Sequence, residues 1–412
     1  TYSSTNAGNN AVGWTFSGCG ITIAGTIYQN DGTTVYNCSG NNLTIDAKVN
    51  GAGSYTATCT AAGGTYSITG PASTAQNDVV TVFINEDGAG SVYGSTITKV
   101  GTASADFTDL HIYQNRVTVR TETSAAAIVN GTGGTSGLDY FDNGNDTDMN
   151  FTVTTNALTV EDGSMLLVFD NGSTASSFTP GGTITTSVSN DGTDSVVDGD
   201  IVIQAGATLS LATGSSLSVG GDFNSSGSIG FATPQTTTFT ATATGHTIST
   251  IDNFENVTLN GSAGGWSFAA SVLISLDLTV TAGTLSGTSD LTVNGGDVTG
   301  NGTINLTGGT FLIDTAGNFG GDTAWTFYNL TFGNGSGATT TTASGTGGIT
   351  VSNVLTIAAS QTLNAIGKTW TLSGTTGTPF VITGTFNDST DTSTFAFTGN
   401  NGGGNTAIAT ST

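Results

Sequence analysis

Between Leu278 and Phe311 the chain repeats one short phrase. Apolar anchors fall at Leu278, Leu285, Leu291, Val298, Ile304 and Phe311, at intervals that alternate between seven and six residues. Each unit is a run of three or four β-forming residues followed by a corner of Gly, Asn or Ser-Gly. Hairpins need longer strands and paired turn signals. A short, steady step instead predicts a coil with about three faces and about 20 residues per turn, its turns stacked about 4.8 Å apart. One turn cannot bury its apolar side alone, but neighbours above and below can.

A longer repeat lies over this one. "FENVTLNGSAGGWSF" at Phe254 answers "FYNLTFGNGSGATTT" at Phe327, and "LDLTVTAGTL" at Leu276 answers "NVLTIAASQTL" at Asn353. These pairs lie about 73 to 78 residues apart, roughly four turns of such a coil, as duplication of a solenoid would leave them. A third pair, starting at Gly221 and Gly384, lies two periods apart. The phrases F-x-N-L-T, L-T-V-x-x-G-T-L and G-T-F resemble the repetitive bacterial cell-surface β-solenoid proteins of the filamentous-haemagglutinin and autotransporter-passenger kind. The resemblance covers about half the chain. It implies a parallel β-helix and a role in surface display, adhesion, or wall or filament building. It supplies no site residues.

The expected organisation is all-β, with four parts. Residues 1–20 are a polar arm with Trp14 and Phe16 as anchors. Residues 21–104 carry "ITIAGTIY", "NLTIDAKV", "SYTATC", "GTYSITG" and "DVVTVFIN", short strands between Gly, Asn and Asp turns. That rhythm predicts one antiparallel β-sandwich, Ig-like in plan. The same stretch resembles the carboxypeptidase-regulatory-like (prealbumin-type) sandwiches of bacterial surface proteins, which implies a spacer or connector. Residues 105–200 form a β-rich middle section that could include the first solenoid turns. Residues 201–412 are the β-solenoid repeats.

Composition narrows the partners. The formal charge is −24, and the only basic residues are Lys48, Lys99, Arg116, Arg120 and Lys368. Five scattered cations make no phosphate-binding track, so nucleic acid is excluded as a partner, and anionic membrane surfaces are disfavoured. The apolar run Ser164–Asp170 is far too short to span a bilayer. The chain opens at Thr1 without a leader, which reads as a mature, processed, extracellular protein. The segment "GGGNTAIATST" is no obvious cap for a solenoid end. More chain, a frayed end or another subunit would each account for that.

Few residues look chemical. Asp139, Asp142, Asn143, Asn145, Asp146 and Asp148 gather hard oxygens suited to Ca²⁺, against a reading as a solvated Asx-rich turn. A weaker loop holds Asp191, Asp194, Asp198 and Asp200. Cys38 and Cys59 flank two strands and a Gly-rich turn, where the open end of a hairpin suits a disulfide, with Cys19 unpaired or bonded to another chain. The alternative is three buried free thiols. Sequons at Asn42, Asn130, Asn256, Asn301, Asn305 and Asn329 occur near the frequency expected by chance in a chain this rich in Ser and Thr. Lys48 matches no isopeptide pattern.

Parallel β-helices also host polysaccharide lyases and hydrolases. The solenoid half offers Lys368 as its single cation, and nothing in the sequence pairs Asp277, Asp290, Asp297 and Asp314 as a hydrolase needs. His111 and His246 lack catalytic neighbours. Trp266, Trp325 and Trp370 follow the strand anchors and read as interior, against a reading as an exposed sugar platform. The expected function is therefore non-catalytic: an extracellular structural protein of a microbial surface, self-assembling head to tail as a filament or sheath subunit. The rivals are a monomeric stalk or adhesin for carbohydrate or another cell and, more remotely, a polysaccharide-active β-helix enzyme.

Overall fold

The computed structural model describes residues 20–85, 92–123, 125, 128–129, 149–152, 157–160, 164–169, 177–179, 183–186, 199–211, 213–231, 234–375, 377–388, 392–400 and 407–410. Among these residues there is no helix.

The N-terminal part is built from strands whose alternation sorts two faces. Strand β1 (Thr22–Tyr28) buries every second residue. It pairs antiparallel with β4 (Thr65–Thr69) and parallel with β7 (Ile112–Tyr113). A second layer runs β3 (Ala52–Cys59), β2 (Leu43–Val49), β5 (Val79–Asn85), β6 (Ser95–Lys99), all antiparallel neighbours. Ile23, Ile27 and Ile68 from one layer meet Ile45, Val82 and Ile84 from the other in one apolar cluster. This departs from the expected antiparallel sandwich of residues 21–104. One layer has only three strands, and its third, β7, lies past residue 104 and runs parallel. Phe107, Leu110 and Ile112 belong to the same cluster, so burial of these side chains draws the following segment into the module.

The second layer does not stop at β6. Strand β5, VVTVFIN, is buried on both sides, as a near-continuous apolar run requires. Val80, Val82 and Ile84 face the small layer, while Val79 joins Ile97, Val117 and Val119 in the other core. Strand β6 then pairs parallel with β8 (Arg116–Val119), Ile97 opposite Val119. Strand β8 is the first strand of a parallel β-solenoid.

Three ladders make the faces of the solenoid. The first runs from β8 through Met165–Val168, Ile201–Ile203, Phe223–Ser225 and His246–Ser249 to Thr369–Leu372 and Thr394–Phe397. The second is in two parts, one from Ile128–Val129 through Ser177–Thr179 to Ser228–Phe231 and one from Val272–Ile274 to Ile408–Thr410. The third starts with an antiparallel pair, Met149–Thr152 on Ala157–Val160, and ends at Thr385–Asn387. The long strand Asn256–Phe268 serves two faces, its pairing shifting register at the corner near Asn260. Glycine is required at such corners: a Cβ on Gly283, at φ +81°, would lie 2.7 Å from the carbonyl oxygens of Gly261 and Gly264 one coil below.

Coils number about 11 and recur about every 22 residues. The step matches the expected 20 where Leu291 pairs with Phe311. It is much longer early on, where Val117 pairs with Leu166 and Leu166 with Ile201. Added loop length between strands costs little while the strands keep their stack. Inside, Trp325, Ile349, Trp370 and Phe395 occupy matching positions on successive coils. Trp266, Trp325 and Trp370 are all buried.

Candidate functional site

Among the described residues, carboxylates at the solenoid's corners take up backbone tasks. A corner interrupts the ladder and leaves N–H groups that need an acceptor. Asp277 Oδ1 accepts the Asp297 N–H at 2.7 Å, and Asp297 Oδ1 accepts the Asn318 N–H at 2.8 Å, one coil on. Asp290 accepts from Thr310 N–H at 2.7 Å and Asp314 from Asn334 N–H at 3.2 Å. These are the four carboxylates that a hydrolase reading would use, and all four face the corner backbone of the next coil. Asp200 Oδ1 likewise accepts the Asp222 N–H at 2.6 Å. Asp222 in turn accepts from Thr247 and lies 3.0 Å from His246 Nδ1. Burial pushes the Asp222 carboxyl up, but its bonds from His246 and Thr247 together outweigh burial and hold it below the usual carboxylate range.

Three of the cations also work on the fold. Lys368 Nζ donates to Gly347 O at 2.7 Å and Gly321 O at 3.4 Å, tying two coils below it. Burial pushes its ammonium down from the ordinary lysine value, with Asp322 opposing. Arg120, with only 4% of its side chain exposed, donates to Glu122 and to the Asp109 carbonyl, joining the segment before β7 to the residues after β8. Arg116 donates to Asn30 O and lies over the Tyr113 ring. His111 Nδ1 accepts the Thr26 N–H at 3.1 Å. The Arg116 and Arg120 contacts clamp the N-terminal module onto the first coil, and the His111 contact lies within the module. Nothing in the sequence marked them, because a basic residue in a Thr-rich strand reads as a solvated one.

The remaining candidates are scattered. Asp139, Asp142, Asn143, Asn145, Asp146 and Asp148 lie outside the described residues, as do Asp191, Asp194, Asp198, Asn130 and Cys19. Among the described residues no three His, Cys, Asp or Glu side chains gather as metal ligands. Cys38 and Cys59 are joined by a disulfide and are fully buried in the N-terminal cluster. Asn42 is exposed. The Asn256 and Asn329 side-chain amides donate to Gln235 O and Gly309 O, and Asn301 Oδ1 accepts the Asp322 N–H, all between coils. Asn305 is a strand residue paired with Thr326.

What the fold brings together is at the poles. The first-face ladder runs unbroken from β3, through β2, β5, β6 and β8, to Thr394–Phe397. Among the described residues β3 pairs only with β2, and Thr394–Phe397 only with Thr369–Leu372. At the second pole the rings of Phe380 and Phe395 stack, and Phe386 meets both edge-on. Phe397 and Ile408 there are 40% and 51% exposed. Apolar surfaces edged with unpaired strands are ones that natural proteins commonly cover or protect.

No protein-family model matches the chain, and neither the curated proteins nor the solved structures hold a match to it.

Proposed function

We propose that this is an extracellular structural protein of a microbial surface, a filament or sheath subunit that joins copies of itself head to tail. One observation carries the reading: a single backbone ladder spans the molecule from β3 to Thr394–Phe397, and among the described residues no further strand pairs with either end. A contact between two such ends does not close on itself, so it propagates. The buried aromatic columns and the carboxylate-capped corners support a mechanical role, since they stiffen the rod and leave its carboxylates engaged with backbone. The buried disulfide and the formal charge of −24 accord with an oxidising, extracellular setting. The solenoid phrases, similar to those of bacterial surface proteins, point the same way.

A second reading rests on the outer surface. Thr185, Ser218, Thr238, Thr258, Thr279 and Thr299 stand in register on consecutive coils of the third face. A polar file of this kind suits a monomeric stalk or adhesin that presents one face to carbohydrate or to another cell.

Electron microscopy and sedimentation of the purified 412-residue chain separate the two. Filaments whose axial repeat equals one subunit are expected. Single rods that stay monomeric at every accessible concentration would overturn the filament.

A further inference from the structure

The head-to-tail reading leaves open which strands meet, and the following rests on that reading. We infer that the joint is an added β-strand: β3 of one copy pairs, antiparallel, with Thr394–Phe397 of the next. The partner is a second copy of this chain.

Three observations lead there. The first is charge. The molecule carries −24, so two copies repel wherever their carboxylates face each other. Yet no Asp, Glu, Lys or Arg occurs from Val49 to Asn77, which includes β3 and β4, or from Thr392 to Thr410, which includes the strands Thr394–Phe397 and Ile408–Thr410. The two poles of the ladder are thus the places where like-charged copies can approach.

The second is the character of the β3 edge. Natural sheets protect an open edge with Lys, Pro or inward charges. Strand β3, AGSYTATC, has none of these, and it keeps an unbroken register with β2 from Tyr55 to Cys59. Its outer rim presents an uncharged row of backbone donors and acceptors.

The third is direction and face. Strand β3 is antiparallel to β2, β2 to β5 and β5 to β6, while β6 is parallel to β8. Strand β3 therefore runs opposite to the solenoid strands, and its pairing with Thr394–Phe397 is antiparallel. Thr56 pairs with Asp46 and Asp46 with Phe83, which places Thr56 and Thr58 on the sheet face shared by Val79 and Ile97. That face becomes the solenoid interior. Across the joint, Thr56 and Thr58, both exposed, extend the interior columns that end at Phe395 and Phe397. The ladder and the core then both continue from one copy into the next.

The test compares the wild-type chain with a Thr56→Glu/Thr58→Glu double variant and with Phe397→Glu, all at exposed positions. Sedimentation gives the critical concentration for assembly, and hydrogen exchange gives the protection of residues 52–59 and 394–397. Each variant should raise the critical concentration at least about tenfold, the effect of about 1.4 kcal/mol per joint. Far-UV circular dichroism and the melting curve of the monomer should stay as in wild type. The amides of both strands should gain protection only on assembly. Filaments from the β3 variant at the wild-type critical concentration would overturn the joint and leave the filament standing. So would β3 amides already protected in the wild-type monomer, the sign that another part of the same chain covers that edge. A wild-type chain that never assembles would overturn the filament and the joint together.

Discussion

At the scale of the residue, identical burial hides unequal bonding. Trp325 and Trp370 sit two coils apart in one interior column and are both fully buried. Trp325 Nε1 donates to Gly302 O at 3.0 Å, whereas Trp370 Nε1 has no partner among the described residues. Replacing either by Phe removes a similar volume. Only Trp325→Phe also removes a hydrogen bond, whereas Trp370→Phe relieves a buried, unpaired donor. Urea unfolding should show Trp325→Phe costing about 1 kcal/mol more than Trp370→Phe. Equal costs would mean that the indole bond contributes nothing net. His111 gives a pH dependence of definite sign. Burial lowers its imidazole below the ordinary value, with Asp109 opposing and Arg120 adding to the shift. In the fold its Nδ1 accepts a backbone N–H, so the ring is neutral. The unfolded chain takes up the proton near 6.5, the folded chain only at lower pH. This contribution to stability is whole above about pH 6.5 and is lost as pH falls from there towards the folded value. Melting curves between pH 7.5 and 5 should therefore show a smaller loss for His111→Gln than for wild type.

At the scale of the element, the N-terminal module and the coils depend on different devices. The module's core is small, and its Cys38–Cys59 bond closes a segment of 21 residues. Such a cross-link is worth about 2–4 kcal/mol, largely through the unfolded state. The coils contain no cysteine and draw their stability from contact with their neighbours, coil by coil. Reduction should lower the stability of the module and leave the coils alone. Three of the four Trp residues are interior to coils, so intrinsic fluorescence reports the solenoid. With reductant, hydrogen exchange in β1–β5 should accelerate while the fluorescence transition keeps its midpoint. A matching fall in both would show that module and solenoid unfold as one unit through the β6–β8 ladder.

At the scale of the whole molecule, a rod with charge −24 and uncharged strands at the two ends of its ladder has a distinctive response to salt. Repulsion between copies weakens as the Debye length shrinks from about 10 Å at 0.1 M to about 3 Å at 1 M. The joint itself contains no ion pair to lose. Self-association should therefore strengthen with NaCl, and light scattering across a salt series would show it. Weakening with salt would point to a joint built on charge.

The sequence alone determined that this chain forms a three-faced parallel coil, and it marked which residues line the interior. The reason is local. A corner every six or seven residues and an apolar anchor on each strand leave few other ways to bury Leu278, Leu285 and Leu291. It could not show that the coil reaches back to Arg116. The paired strands of the early coils lie far apart in the sequence, and the step from Val117 to Leu166 obscures any period. Nor could it show what the carboxylates do. In the sequence Asp277 and Asp297 are carboxylates without an evident task, and only stacking sets each one against the N–H of the next coil. The same holds for the basic residues. Lys368 meets the Gly347 carbonyl one coil below and Arg120 meets the Asp109 carbonyl, at separations that local pattern does not encode. Tertiary structure alone decided that β6 lies beside β8, and so that sandwich-like module and solenoid share one ladder. Strand pairing is made by backbone groups that every sequence carries, and which edge meets which follows from the packing of the whole molecule.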